Sequence, residues 1–573
     1  KPAEERLREL DGLKTIVSNV RPGSVVIQLT AYDRVTDLDG MWQKVRSKLT
    51  EVGQGYPPGT MGPFLDDDFG SVSVASVAVT APGFSPAQMR EPLKQFRSAL
   101  YGLSGVERVS FYGLQDTRLY VQFDRTKLAA LGLSPAAAAQ QLAAQNAFAS
   151  AGEPTVSGLA LSVDVGGRIR SVDDLRRFLL SVPRDGGHAD VPLGDVATVQ
   201  AMPEDPPQAA AIYQGQSAVV VSVSMGDGLD IATFGKELKK RIDQAARQLP
   251  AGFEAHIVTF QADVVARQMS KMHHVMGETI VIVMAVVMLF LGWRMGLVVG
   301  SIVPLTILSS LLVMRMFDIE LQMVSMAAII LALGLLVDNG IVIAEDIERR
   351  LKAGEERRQA CIEAGRTLAI PLLVSTLVIV FAFSPFFLGH TSTNEYMRSL
   401  AVVLAVTLLG SWVLGLTVTP LLCFYFARVH LDEQEDNQHE SRFYRAYRRA
   451  IGWVLAHKTL YLGVMLVCLG VASWTLSRLP YDFLPKSDRL QFQIPLTLQT
   501  GTDARETLDT VRRISVWLAD KKANPEIESS IGYVADGGPR IVLGLNPPLP
   551  GANIGYFTVS VKAGTDLDTV IAR

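Results

Sequence analysis

A single carboxylate, Asp338, stands inside an otherwise apolar run, Met323-Val-Ser-Met-Ala-Ala-Ile-Ile-Leu-Ala-Leu-Gly-Leu-Leu-Val-Asp-Asn-Gly-Ile-Val-Ile-Ala-Glu-Asp346. A charge in such a run costs a few kcal/mol or more if it is buried in hydrocarbon without a partner. It must either pair with a cation or hold a proton. Either state lets it cycle between charged and neutral forms, which is the chemistry of a proton relay. Asn339 adds a neutral hydrogen-bonding neighbour at the same site. Gly334 and Gly340 flank it and are expected to let helices approach closely. Glu345, Asp346 and Glu348 lie at the end of the run beside Arg349 and Arg350 and read as solvated or interfacial.

Other chemistries lack their residues. No hydrolase triad, phosphate-binding Walker loop or HExxH metalloprotease motif occurs, so no enzyme is expected and no cofactor is required. Without a nucleotide site, transport would have to be powered by an ion gradient or by another subunit. The three cysteines, Cys361, Cys423 and Cys468, form no CxxC pair, which excludes a disulfide framework and a structural zinc site. A formal net charge of −3 gives no general affinity for nucleic acid.

The elements that would position Asp338 are membrane helices. A helix needs about 20 mostly apolar residues to cross the hydrocarbon layer, and six segments qualify: 275–293, 296–315, 323–346, 368–388, 397–427 and 459–478. Gly292-Trp293-Arg294 splits the first two with a tight turn. Pro304, Pro371, Pro385 and Pro420 lie within or at the ends of spans, where proline kinks a helix and can permit rocking. Lys and Arg crowd the loop 347–367 and the segment 428–458, whereas 316–322 and 389–396 have neither up to the membrane boundary. Positive charge marks the cytoplasmic side, so 1–270 and 481–573 share the outer compartment. The stretch 441–457 spaces Arg442, Arg445, Arg448 and Arg449 helically between aromatics and reads as a helix lying on the inner membrane surface.

Outside the membrane, the pattern is α+β. Residues 14–31 alternate as a hairpin around Arg21-Pro22-Gly23, and 36–52 follow as a helix. A strand at 72–80, a helix at 85–103 and strands at 106–111 and 118–123 come next. The theme returns at 219–224, 231–249 and 254–260, and again at 491–500 and 503–520. Between the first two occurrences, 124–207 carries an Ala-rich helix at 134–149 and Gly-rich hairpins around Gly152, Gly158 and Gly166-Gly167, and it reads as an insertion. The chain begins at Lys1-Pro2 without an initiator Met and ends at Arg573 within an αβ pattern, so it reads as a fragment of a duplicated plan.

Four motifs together resemble the resistance-nodulation-division (RND) efflux pumps, in order and spacing along the whole chain. They are Leu331-Ala-Leu-Gly-Leu-Leu-Val-Asp-Asn-Gly-Ile-Val-Ile-Ala-Glu-Asp-Ile-Glu-Arg-Arg350, Tyr481-Asp-Phe-Leu-Pro-Lys-Ser-Asp488, Leu103-Ser-Gly-Val-Glu-Arg-Val109 and Val191-Pro-Leu-Gly-Asp-Val196. The resemblance implies a polytopic α-helical bundle with periplasmic porter subdomains of ferredoxin-like βαββαβ type and a docking insertion. It places a first porter subdomain at 1–65, a second at 66–117 and 208–262, docking at 118–207, and transmembrane helices 2–6 at 263–430. The cytoplasmic surface helix falls at 431–458, helix 7 at 459–479 and the start of a third porter subdomain at 480–573. It further implies a homotrimer in the inner membrane of a Gram-negative bacterium. There it exports hydrophobic or amphiphilic drugs, dyes, detergents or solvents in exchange for protons, with a periplasmic adaptor and an outer-membrane channel as partners. Drug pumps commonly carry two adjacent aspartates in this helix; here Asp338 matches the first and Asn339 replaces the second. Asn does not titrate, so one carboxylate would carry the proton in this half. A single aspartate also occurs in the metal-exporting branch, and the chain's 17 Met would suit copper or silver. Met269, Met272 and Met276 recur at i, i+3 and i+7, a spacing more often due to packing. A non-exporting relative that aids protein translocation or lipid handling is a further alternative, against which the insertion at 124–207 speaks.

Overall fold

In the computed structural model, the described residues are 1–21, 24–57, 59–67, 71–145, 155–156, 159–160, 169, 171–184, 187–226, 228–389, 391–426, 442–479 and 489–573. The Gly-rich hairpin tips and the Tyr481–Asp488 motif therefore lie outside the described residues, as does all of 427–441. The chain divides into two compact units. One comprises Lys1–Leu65 with Ala266–Asp488, the other Asp66–Val265 with Arg489–Arg573.

The first unit opens with a helix, Pro2–Arg8, packed on the helix Leu38–Gly53 through Leu7, Met41 and Val45. Between them the strands Leu13–Arg21 and Ser24–Ala31 pair antiparallel, as the alternation predicts. The membrane part follows. A helical stretch Gln261–Met316 contains Gly292 at φ 79° and ψ 161°, a conformation that ends one helix and starts another. The halves, 261–291 and 293–316, fold back on each other. A Cβ on Gly296 would stand 2.5 Å from the Met288 Cα, and one on Gly300 would stand 2.8 Å from the Met284 sulfur. These pairs are symmetric in sequence about Gly292, and only glycine allows so close a hairpin. Helices Met323–Lys352, Arg357–Leu388, Ser392–Phe426 and Lys458–Leu476 complete six membrane-length segments once the hairpin is counted as two.

The helix Met323–Lys352 is the core of this bundle. Ala328, Ile329, Ala332, Leu333, Leu336, Ile343, Ala344 and Ile347 are buried against Val299, Val303, Leu404 and Leu408. Helices Arg357–Leu388 and Ser392–Phe426 are tied by polar groups. Trp412 Nε1 donates to the Ala369 carbonyl at 3.0 Å, and Arg357 Nη1 donates to the Phe424 carbonyl at 3.2 Å. The second of these satisfies a carbonyl at a helix C-terminus with a cation. Helix Lys458–Leu476 buries no residue.

The second unit is built on an eight-stranded sheet. Strand Ser73–Thr80 lies between Glu254–Phe260 and Gln216–Met225, and Val106–Tyr112 pairs with the far side of Gln216–Met225. Helices Pro86–Tyr101 and Ile231–Arg247 pack together on one face through Leu93, Phe96, Leu100, Leu238 and Ile242. Further along the chain, Gln491–Thr497, Ile527–Val534 and Ile554–Val561 repeat the arrangement, the third strand pairing with both others and helix Ala504–Ala519 packing on it. Ala210–Tyr213 joins the two halves into one sheet, pairing with Gln216–Met225 on one side and Ile527–Val534 on the other. This joint was not legible in the sequence, because four residues carry no alternation of their own. Gly113 is required beside it: it sits at φ 80°, and a Cβ there would be 2.6 Å from the Ala211 nitrogen.

Residues inserted between Val106–Tyr112 and Ala210–Tyr213 form their own core. Leu128, Leu133, Leu175, Phe178, Leu180, Leu193, Val196 and Val199 cluster there. Strands Thr117–Phe123 and Ala197–Pro203 pair antiparallel, as do Leu179–Arg184 and Gly187–Pro192.

Candidate functional site

Asp338 and Asn339 are neighbours in sequence but occupy opposite environments. A helix turns about 100° per residue, so consecutive side chains cannot share a face. Leu331, Gly334, Asp338, Val342, Glu345 and Arg349 are all exposed, spaced by three or four residues, and form one open stripe. Asp338 is the charge set midway along it. Among the described residues no cation or hydrogen-bond donor pairs with its carboxylate. The carboxylates nearer the helix end differ. Asp346 pairs with Arg350 at 2.8 Å and also with Arg349, and Glu348 pairs with Lys352 at 2.9 Å.

Asn339 points into the bundle and is buried. Its Nδ2 donates to Ser411 Oγ over 3.5 Å, a long bond, and Ser411 Oγ donates to the Leu336 carbonyl at 3.1 Å. The pair ties this helix to Ser392–Phe426, and Gly415 leaves room there, its virtual Cβ 3.7 Å from the Asn339 Cβ. Gly340 faces the hairpin: a Cβ would lie 3.2 Å from Ile302 Cδ1 and 3.4 Å from Val299 Cγ1. Gly334 lies on the open stripe, and a Cβ there meets nothing within 4 Å. The structure thus brings Asn339 and Gly340 together with their neighbours in the bundle and leaves Asp338 and Gly334 on the outward stripe.

The sequence reading did not anticipate Ser411, whose role depends on a partner 72 positions away. It also passed over a second chemical surface in the sheet unit. On the side of the sheet away from its helices, Tyr533 and Tyr556 are buried with Ala78, Ala211, Val220, Val258 and Ile531, and Tyr112 and Tyr213 pack against them. Tyr112 meets Tyr533 edge-on at 6.2 Å, and Tyr213 stacks on His256 at 5.1 Å. Burial pushes the phenols of Tyr112 and Tyr556 up to about 12. At the edge of this group Asp536 is half-buried, and burial raises its carboxyl against the opposing pull of the Gly538 and Gly537 N–H groups. One signal was available: tyrosines at alternate positions in strand-like runs, facing away from the valines that meet the helices.

Six membrane-length segments among the described residues, with the unpartnered Asp338 midway along the open face of the central helix, fit a polytopic membrane protein of the transport type. The model of the AcrB/AcrD/AcrF family matches residues 1–542, and an uncharacterized transporter of Haemophilus influenzae is 23% identical over 495 residues, 85% of this chain and 48% of that protein. The chain belongs to the AcrB/AcrD/AcrF family of RND permeases. It spans about half the length of the curated relative it matches.

Proposed function

We propose that the protein containing this chain is a proton-driven exporter of hydrophobic or amphiphilic small molecules, with Asp338 as its intramembrane proton relay. The observation that carries this reading is the unpartnered Asp338 on the open stripe of the central helix. A carboxylate in a membrane segment is costly unless a cation or proton meets it, and an open stripe leaves room for a cationic group from elsewhere in the assembly. Ionisation then favours that pairing and protonation releases it, so proton entry from one side and loss to the other drives a cycle between two conformations. Asn339 takes no proton in this scheme; it holds the helix through Ser411.

Several features support the export reading. The 4-1-3-2 order of Glu254–Phe260, Ser73–Thr80, Gln216–Met225 and Val106–Tyr112 fits a ferredoxin-like porter subdomain, and the inserted core at 118–207 fits a docking element. In this reading the protein is a homotrimer of the inner membrane with its soluble units in the periplasm, served by an adaptor and an outer-membrane channel.

The test is export of a fluorescent dye from a pump-deleted strain expressing the full-length protein. Asp338→Asn is expected to abolish export while the protein still assembles at normal levels. Undiminished export by an assembled Asp338→Asn protein overturns the relay.

A further inference from the structure

Helix Arg442–Ala456 stops at His457, whose backbone, at φ −116° and ψ 40°, leaves the helical region, and the membrane-length helix Lys458–Leu476 starts at the next residue. The shorter helix is therefore joined directly to the point where the chain enters the membrane. We propose that it is a docking surface for anionic phospholipid, whose headgroup phosphates its arginines bind.

The charge of this helix is not balanced from within. Arg442, Arg445, Arg448 and Arg449 precede Lys458, and no Asp or Glu lies anywhere in 441–458. The cations at the end of Met323–Lys352 differ. Arg349 and Arg350 pair with Asp346, and Lys352 pairs with Glu348, three or four residues away on the same helix. Pairs of that kind cannot form within 442–456, so its counter-charge has to come from outside the helix.

The placement of the arginines suits a bilayer surface. At about 100° per residue, Tyr447, Ile451 and Val454 share one side, while Arg448 and Arg449 bound the other with Gly452 and Ala456 between them. Arg448 falls about 20° from Leu455 and Arg449 about 40° from Trp453, so each cation borders an apolar residue. By the same count Arg442 and Arg445 fall on or beside that arc. Long side chains so placed lay their stems along the apolar side and hold their charge at the level of the phosphates. Tyr447, Ile451 and Leu455 are exposed, so the described residues leave the apolar side open. Trp453 stacks on His457 at 5.1 Å beside the membrane entry, the position of an interfacial aromatic. Lying on a membrane does not by itself select a lipid, because a neutral bilayer also takes the apolar side. The arginines add the demand for negative headgroups, and a guanidinium matches phosphate with two parallel hydrogen bonds. The acidic stretch Asp432-Glu-Gln-Glu-Asp436, just ahead of the helix, is the rival occupant.

To test this, the chain is placed in nanodiscs of phosphatidylcholine, with or without phosphatidylglycerol, and amide hydrogen exchange is read by peptide mass spectrometry. Exchange across 446–456 is expected to be about tenfold slower with phosphatidylglycerol, and exchange across 330–344 to be the same in both discs. High potassium chloride should remove the difference in the parent. So should Arg442→Gln, Arg445→Gln, Arg448→Gln and Arg449→Gln combined. Inorganic phosphate added to the phosphatidylcholine discs should not reproduce it. Equal exchange in the two discs overturns the proposal. So does slowing that survives the four substitutions or high salt, or that free phosphate produces as well. A difference that emerges only with Asp432→Asn, Glu433→Gln, Glu435→Gln and Asp436→Asn combined would make the acidic stretch the occupant of the arginines, and that too overturns the lipid surface.

Discussion

Two aspartates of this chain invert what their surroundings would lead one to expect. Asp338 lies in a run that reads as hydrocarbon-spanning, yet its side chain is on an exposed stripe. Asp536 lies outside the membrane-length helices, in the sheet unit, yet burial raises its carboxyl, and its charge in turn raises the phenols of Tyr112 and Tyr533. Hydropathy of the surrounding sequence locates the first and misses the second. What matters for either is which side of its own element faces protein, and that is fixed by neighbours far away in sequence. The open carboxylate has no partner among the described residues, whereas the sheet carboxylate is a local cost borne by a well-packed unit.

The largest effect belongs to Asp338. Its replacement by Asn keeps shape and hydrogen bonding but removes the proton, and dye export by the full-length protein is expected to fall to the level of the empty strain. Replacing Asn339 rather than Asp338 attacks the other face of the helix and bears on packing. The glycines test that contrast most cleanly. Leucine at Gly340 has to displace Ile302 and Val299, and overpacking of this kind costs about 1–3 kcal/mol. Leucine at Gly334 enters open space. In thermal unfolding of the chain in detergent, Gly340→Leu should therefore lower the midpoint and Gly334→Leu should leave it nearly unchanged. Equal losses at both would break the division into a packed and an open face.

Much of this could be read from the sequence. The spans and their turn at Gly292 follow from hydropathy and one glycine, and strand Glu254–Phe260 is found where alternation puts it. Helices run past the apolar stretches, as Arg357–Leu388 does beyond 368–388, because the hydrogen-bonded ladder does not stop where lipid does. Asp338 was found from its type and context alone. Its environment was not, because the difference between Asp338 and Asn339 is one of rotation, and helix rotation is set by packing against 293–316 and Ser392–Phe426. Neither Asp536 nor the four-residue strand Ala210–Tyr213 stood out, since each takes its meaning from strands hundreds of residues away.

Asp536 should respond to pH in the direction burial dictates. Its raised carboxyl binds a proton more tightly in the folded state than in the unfolded one. The proton-linked stability is therefore complete below the ordinary aspartate range and is lost as pH rises through the raised value. Once ionised, the side chain is a burden. Asp536→Asn keeps an oxygen to accept from the Gly538 N–H, now at 3.2 Å, and removes the charge. Hydrogen exchange of strand Ile527–Val534 should slow in the variant at pH 7, with the gain disappearing in acid below the ordinary aspartate range. A gain of equal size at every pH would mean that the charge is not its source.

The smallest effect should come from Ser411→Ala. It deletes a donor to the Leu336 carbonyl and an acceptor for Asn339. A hydrogen bond of this kind contributes about 0.5–1.5 kcal/mol net, and the long reach from Asn339 puts the pair toward the lower end. The variant should unfold slightly earlier than the parent, and a double variant with Asn339→Ala should lose less than the sum of the two single losses, because the residues share one interaction. Additive losses would show that Asn339 is held by its apolar surroundings alone. The packed face would then owe its order to Gly340 and the aliphatic core, and Ser411 would lose its part in keeping Asp338 turned outward.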